Sequence, residues 1–147
     1  MFQGTWTAAG TRQMLQLEAD HHAWIFDLTG SLLLTGGDRP AVGFQARAIG
    51  FADSLDAMHG ASVWTDERGD RVYSQLRAEM TDSGHRIAGT ITGGTGRYAD
   101  VTGDYAFRWQ YMVESGDGAV SGRVVNLEGR VRLGGDASAE PAEGRKP

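Results

Sequence analysis

Apolar and polar residues alternate one for one along much of this chain. Tyr105, Phe107, Trp109, Tyr111 and Val113 are interleaved with Ala106, Arg108, Gln110, Met112 and Glu114. Val72, Ser74, Leu76, Ala78 and Met80 are interleaved with Tyr73, Gln75, Arg77 and Glu79 in the same way. Side chains on a strand point to opposite faces in turn, so this period predicts strands with one face on a core and one in water. No stretch of ten or more residues carries clean helical spacing. Extending the reading along the chain predicts strands near Gly4–Ala8, His22–Leu34, Val42–Asp53, Ala57–Thr65, Asp70–Met80, His85–Thr92, Gly103–Glu114 and Val120–Leu133. The breaks between them carry turn chemistry: GGDRP at 36–40, DERGD at 66–70, DSG at 82–84 and SGDG at 115–118.

Composition sharpens this picture. Twenty-two glycines against three prolines is about twice the usual glycine share of roughly 7%, which disfavours helices and favours turns, bulges and coiled strands. Eight strands joined by hairpin-length turns predict an all-β meander closed into an antiparallel eight-stranded barrel, whose interior side chains fill or a small ligand occupies. Gly30, Gly50 and Gly129 lie inside long strands, where barrel corners and bulges need them. A length of 147 residues suits one domain, taken as residues 1–134. Residues 135–147 are polar with no apolar anchor and read as a disordered tail.

Charge and missing residue types exclude several kinds of chemistry. There is no cysteine, which removes disulfides, thiolate ligands and thiol nucleophiles. The only lysine is Lys146, so no Schiff-base lysine lies within the fold. A net charge of −5 does not suit a phosphate backbone, so no nucleic-acid partner is expected. No apolar run approaches the roughly 18 residues of a membrane span. The opening MFQGTWTAAG has no basic region followed by an apolar one. The expectation is a cytoplasmic protein with no membrane partner.

The densest local signal runs from Gly89 to Gly103. Gly94, Gly96 and Ala99 approach the glycine spacing of a dinucleotide-binding turn, but that site needs a helix of several turns next. Here Gly103 and an alternating run follow within seven residues, which leaves room for one turn. The same segment, GGTGRYADVTGDY, resembles the signature of the allene oxide cyclase-like and dirigent-like barrels through Gly93, Gly94, Thr95, Gly96, Arg97, Tyr98 and Gly103. The resemblance covers the last third of the chain by motif and the rest by strand count. It implies a closed eight-stranded barrel, often trimeric, with a mostly apolar lumen and Tyr98 plugging one end. It also implies an enzyme that cyclises or isomerises a reactive apolar substrate without a cofactor. Many dirigent proteins carry a basic residue where this chain has Thr102, so their radical-coupling site does not carry over.

With polar faces outward, the inward set is Trp24, Phe26, Leu28, Phe44, Ser74, Leu76, Met80, Tyr105, Phe107, Trp109 and Tyr111. These residues either fill the interior or line a pocket for an apolar molecule. Trp24, Phe26, Phe44, Ser74, Leu76, Met80, Phe107 and Trp109 are the candidate substrate contacts; Tyr105, Tyr111 and His59 are the candidate donors or acid–base groups. Of the adjacent His21 and His22 at most one looks inward, and no ligand spacing brings them to a metal with His59 or His85, so no metal site is expected. Asp27 and Glu128 lie in apolar strands; each either has a raised pKa in the interior or faces solvent, beside an arginine such as Arg47 or Arg123. No G-x-S-x-G elbow or phosphate loop is present.

Three readings follow: a cyclase or isomerase of secondary metabolism, which holds its substrate folded near the transition state; a non-catalytic carrier of an apolar ligand; and a solid barrel assembling as a homo-oligomer, dimer or trimer. The first two need a lumen of a few hundred Å³, and the third needs none.

Overall fold

The computed structural model of the chain describes residues 1–36, 39–53, 58–81 and 84–133; for 39–40, 79–81 and 84–85 it describes the backbone alone. Eight strands run in chain order: β1 (Phe2–Glu18), β2 (His21–Gly36), β3 (Arg39–Asp53), β4 (His59–Thr65), β5 (Arg71–Thr81), β6 (Gly84–Gly94), β7 (Thr102–Glu114) and β8 (Ala119–Arg132). Each pairs antiparallel with the next, and β8 pairs back with β1, so the sheet closes on itself. This is the eight-stranded barrel that the alternation predicts. No helix among the described residues is long and apolar enough to cross a membrane. The tail at 135–147 and the centres of the GGDRP and DSG turns lie outside the described residues.

One strand departs clearly from its predicted limits. β1 runs to Glu18 rather than ending near Ala8. Past Ala8 its residues are exposed on nearly every position, with Met14, Leu15 and Leu17 all about half exposed or more. A segment wet on both faces has no reason to alternate, so the period that identifies the other strands is missing there. It is a strand because β2 pairs with it as far as the pair Glu18↔His21.

Turn chemistry closes the hairpins where it was expected. Asp66 starts the β4–β5 turn, and its carboxylate accepts the backbone N–H of Arg68 at 2.9 Å and of Asp70 at 3.0 Å. Asp117 does the same in the β7–β8 turn, accepting the N–H of Ala119 at 3.1 Å. Asp side chains that bond the backbone two residues on are what bend the chain at these points.

The up-and-down order gives the barrel two ends. The hairpin end carries the β1–β2, β3–β4, β5–β6 and β7–β8 connections. The motif end carries the N-terminus and the glycine-rich β6–β7 segment. At mid-height the lumen is plugged. Trp64 and Tyr105 meet with ring centroids 5.1 Å apart, and Phe107 stacks on Tyr105 at 6.1 Å. Trp6 packs into the same layer and donates its indole N–H to the Gly30 carbonyl at 3.1 Å. Only about 20 Å³ of free space remains between these rings, so the interior is a packed core with a cavity at each end.

Candidate small-molecule cavity

The cavity at the hairpin end has a volume of about 310 Å³, the lower limit of small-molecule pockets. Two kinds of wall enclose it. Trp24 and Phe26 from β2, with Phe107, Trp109 and Tyr111 from β7, form an aromatic side. Ala48 and Ala52 from β3 and Ala78 from β5 form the facing side, with Leu76 and Met58 between. Three inward alanines opposite these rings, with Trp6 of the plug at the cavity floor, leave the volume that large residues on both sides would fill.

Seven of the residues predicted to face inward meet here: Trp24, Phe26, Leu28, Leu76, Phe107, Trp109 and Tyr111. Others lie elsewhere. Phe44 belongs to the motif end, where its ring sits 5.7 Å from both Trp64 and Tyr98, in the wall of a second cavity of about 380 Å³. Ser74 is buried at mid-height, and its hydroxyl is 2.7 Å from that of Tyr105. The side chain of Met80 lies outside the described residues.

The candidate acid–base groups are corrected more sharply. His59 is exposed and stands opposite Phe51 on the outer face of the barrel. Its neighbour Met58 takes the inward direction and lines the cavity, so His59 has no route to a bound molecule. Tyr105 is inward but belongs to the plug, not to the cavity wall. Burial pushes its hydroxyl up to about 12, and hydrogen bonds to Ser74 and Ser62 offset part of that rise. It stays protonated and its hydroxyl is engaged. Tyr111 alone of the three lines the cavity.

Around Tyr111 the rim is polar. Trp109 meets its ring edge-on at 5.5 Å, and the Arg12 guanidinium lies 4.7 Å over it while pairing with the Glu114 carboxylate. Across the mouth, His21 Nε2 is 2.7 Å from Asp53 Oδ1, and Asp53 lines the cavity. His22 packs against Trp24 with ring centroids 5.6 Å apart. The sequence singled out the histidine pair but not Asp53, which reaches His21 through the register of β2 against β3. One wall donor is unmatched: Trp109 Nε1 is buried with no hydrogen-bond partner in the protein.

Asp27 faces outward and pairs with Arg47 through bonds of 2.7 and 3.0 Å. The Arg47 hydrogen bond holds the Asp27 carboxyl below the usual range despite some desolvation. Glu128 is exposed. Neither carboxylate is available to the lumen. Among the described residues, no group of three His, Asp or Glu side chains gathers as a metal site.

The glycine-rich motif builds a clamp at the opposite end. Gly96 takes φ +57°, and a Cβ there would fall 2.1 Å from an Asp70 carboxylate oxygen, so any side chain would be strained and would displace Asp70. The turn it allows delivers Arg97 and Tyr98 to Asp66. That carboxylate accepts Arg97 Nη2 at 2.8 Å, Arg97 Nε at 3.2 Å and the Tyr98 hydroxyl at 3.0 Å, besides its two turn N–H groups. Asp66 is nearly buried yet fully hydrogen-bonded. Like Asp53, it escapes a reading of the sequence, because two turns 31 positions apart show no sign of meeting. No protein-family model and no curated protein matches the chain.

Proposed function

We propose that this chain binds a small, predominantly apolar and flat molecule in the hairpin-end cavity. The observation that carries the reading is the asymmetric wall, aromatic on β2 and β7 and alanine on β3 and β5, around about 310 Å³ of space. That volume equals roughly ten water molecules at ~30 Å³ each, and water gains little from so apolar a lining. Aromatic faces favour a ligand with a conjugated or ring-containing body. The unmatched Trp109 N–H and the Tyr111 hydroxyl favour one that also carries a hydrogen-bond acceptor over a plain hydrocarbon.

A second reading is that the cavity turns over its ligand, as the enzymes of the allene oxide cyclase-like barrels do. The observation that favours it is the Tyr111 hydroxyl at the wall with a cation over its ring. With Tyr105 engaged and His59 outside, chemistry here would consist of folding the substrate into shape, with Tyr111 as the one donor among the three candidates.

The test is binding of a neutral apolar fluorophore, N-phenyl-1-naphthylamine, followed by displacement with a panel of conjugated small molecules. The native chain binds with tryptophan quenching. Ala52→Phe, which pushes a ring into the alanine side, removes binding while the circular dichroism stays native. No binding at millimolar probe, or binding indifferent to Ala52→Phe, overturns the proposal. Turnover of a displacing compound that Tyr111→Phe slows without weakening its binding selects the enzyme over the carrier.

A further inference from the structure

β1 has two different margins. Toward β2 it is paired from Gln3 to Glu18. Toward β8 the pairs stop at Thr11↔Ala119, and the last backbone contact on that side is Arg12 N–H to the Gly118 carbonyl at 2.8 Å. From Gln13 to Glu18 no described strand lies alongside, so a run of about 20 Å, at ~3.4 Å per residue, presents unpaired backbone groups. The run is preformed rather than frayed. The Gln16 amide donates to the carbonyls of Glu18, Ala19 and His21 and ties the hairpin tip together.

The side chains on this margin do not protect it. Natural edge strands carry lysine, proline or bulges that turn away other strands. Here Met14, Leu15 and Leu17 are 54%, 62% and 48% exposed, with no lysine and no proline from Phe2 to Gly36. The run is also self-complementary. Placed antiparallel against itself with Leu15 at the centre, it sets Leu15 opposite Leu15, Gln13 opposite Leu17 and Met14 opposite Gln16. The Arg12 end of each copy then meets the Glu18 end of the other, so the charges at the two ends are opposed. A register shifted to centre on Gln16 sets Leu15 opposite Leu17 instead, but it places Glu18 opposite Met14 and carries Arg12 past the end of the partner strand at Glu18, so the charge match within the paired strands is lost.

We propose that two copies of the chain associate through this margin, β1 of one pairing antiparallel with β1 of the other about a two-fold axis at Leu15. Such a contact is isologous, so it closes at two copies and builds neither rings nor fibres. It is independent of what the cavity holds. It leaves both cavities free and makes one sheet continuous across the dimer.

The absence of cysteine makes the test specific for register. Residues opposite themselves across the axis have Cα atoms about 4.5–5.5 Å apart, within disulfide reach. In mild oxidation Leu15→Cys gives a covalent dimer, while Gln13→Cys, whose sulfurs lie on opposite sides of the axis, gives at least tenfold less. Sedimentation of the native chain across concentrations shows a monomer–dimer equilibrium. Leu15→Lys sets two charges against each other at the axis and raises the dissociation constant at least tenfold, while Met112→Lys, at an exposed apolar site on β7, leaves it unchanged. A monomer at every concentration overturns the proposal, as does a trimer. Equal crosslinking at positions 13 and 15, or a dimer that survives Leu15→Lys, also overturns it. Circular dichroism of each variant establishes that the barrel is intact.

Discussion

Asp66 has the most hydrogen bonds of any carboxylate described here, and its titration has a definite sign. Burial raises its pKa, but the bonds from Tyr98, the Arg68 and Asp70 N–H groups and Arg97 outweigh that and hold it below the usual carboxylate value. A depressed folded pKa contributes stability that is present above the unfolded value near 4 and is lost as pH falls through the folded value. Melting of the native chain therefore drops as pH falls below about 4 and through the depressed folded value. Asp66→Asn lowers the melting temperature by several degrees at neutral pH and flattens that acid limb, which thermal scans across pH measure directly. Tyr105 acts at the other extreme. Its hydroxyl is raised to about 12, so the unfolded chain ionises first and stability falls as pH rises from about 10 through 12. Tyr105→Phe removes that alkaline loss but strands the Ser74 hydroxyl, at a cost of about 1 kcal/mol near pH 7. An alkaline limb that persists unchanged in Tyr105→Phe would remove Tyr105 as its source.

At the scale of the strand, legibility followed exposure. β5 could be read because it has one dry and one wet face: Val72, Ser74 and Leu76 are buried, Gln75 between the last two is exposed, and so is Arg77 beyond them. The outer half of β1 was not, because both of its faces are wet. The turns at Asp66 and Asp117 were legible through their own chemistry, but the clamp from Asp66 to Arg97 and Tyr98 was not, since it joins two turns that closure alone brings together. Pairing strength also varies around the barrel in a way no single strand encodes. β5 and β6 share ten residue pairs, while β6 and β7 share five, from Ile87↔Phe107 to Ile91↔Gly103. Beyond Phe107, β7 is paired with β8 alone. Amides of an antiparallel strand point to its two margins by turns. Every second amide between Arg108 and Glu114 therefore exchanges with solvent deuterium much faster than its neighbours, whereas β5 amides from Val72 to Arg77, with β4 on one margin and β6 on the other, are protected on both. Residue-resolved hydrogen exchange reads this pattern, and uniform protection along β7 would mean that β6 or another segment covers the margin.

For the whole molecule, the sequence determined that a barrel closes but not at what height each inward residue sits. Height depends on stagger between strands, which is a property of all eight registers together. Phe44 and Phe26 were therefore indistinguishable as inward aromatics, yet one lines the motif-end cavity and the other the hairpin-end cavity. Alanines at 48, 52 and 78 gave no signal either, since alanine is neutral in a pattern of polar and apolar positions. The two cavities have similar volumes, about 310 and 380 Å³, and the plug of Trp64, Tyr105 and Phe107 separates them. That arrangement allows stability and binding to be pulled apart. Val72→Phe adds a ring at the motif end and Ala52→Phe adds one at the hairpin end. Each buries new apolar surface in existing space, a gain of about 1–2 kcal/mol where the ring fits without strain. Both variants therefore melt higher than the native chain, by a few degrees. Only Ala52→Phe loses the fluorophore, because only it fills the cavity whose walls are aromatic on one side and alanine on the other. A stabilised Val72→Phe that also loses the probe would show that the plug does not isolate the two ends and that a ligand spans the barrel.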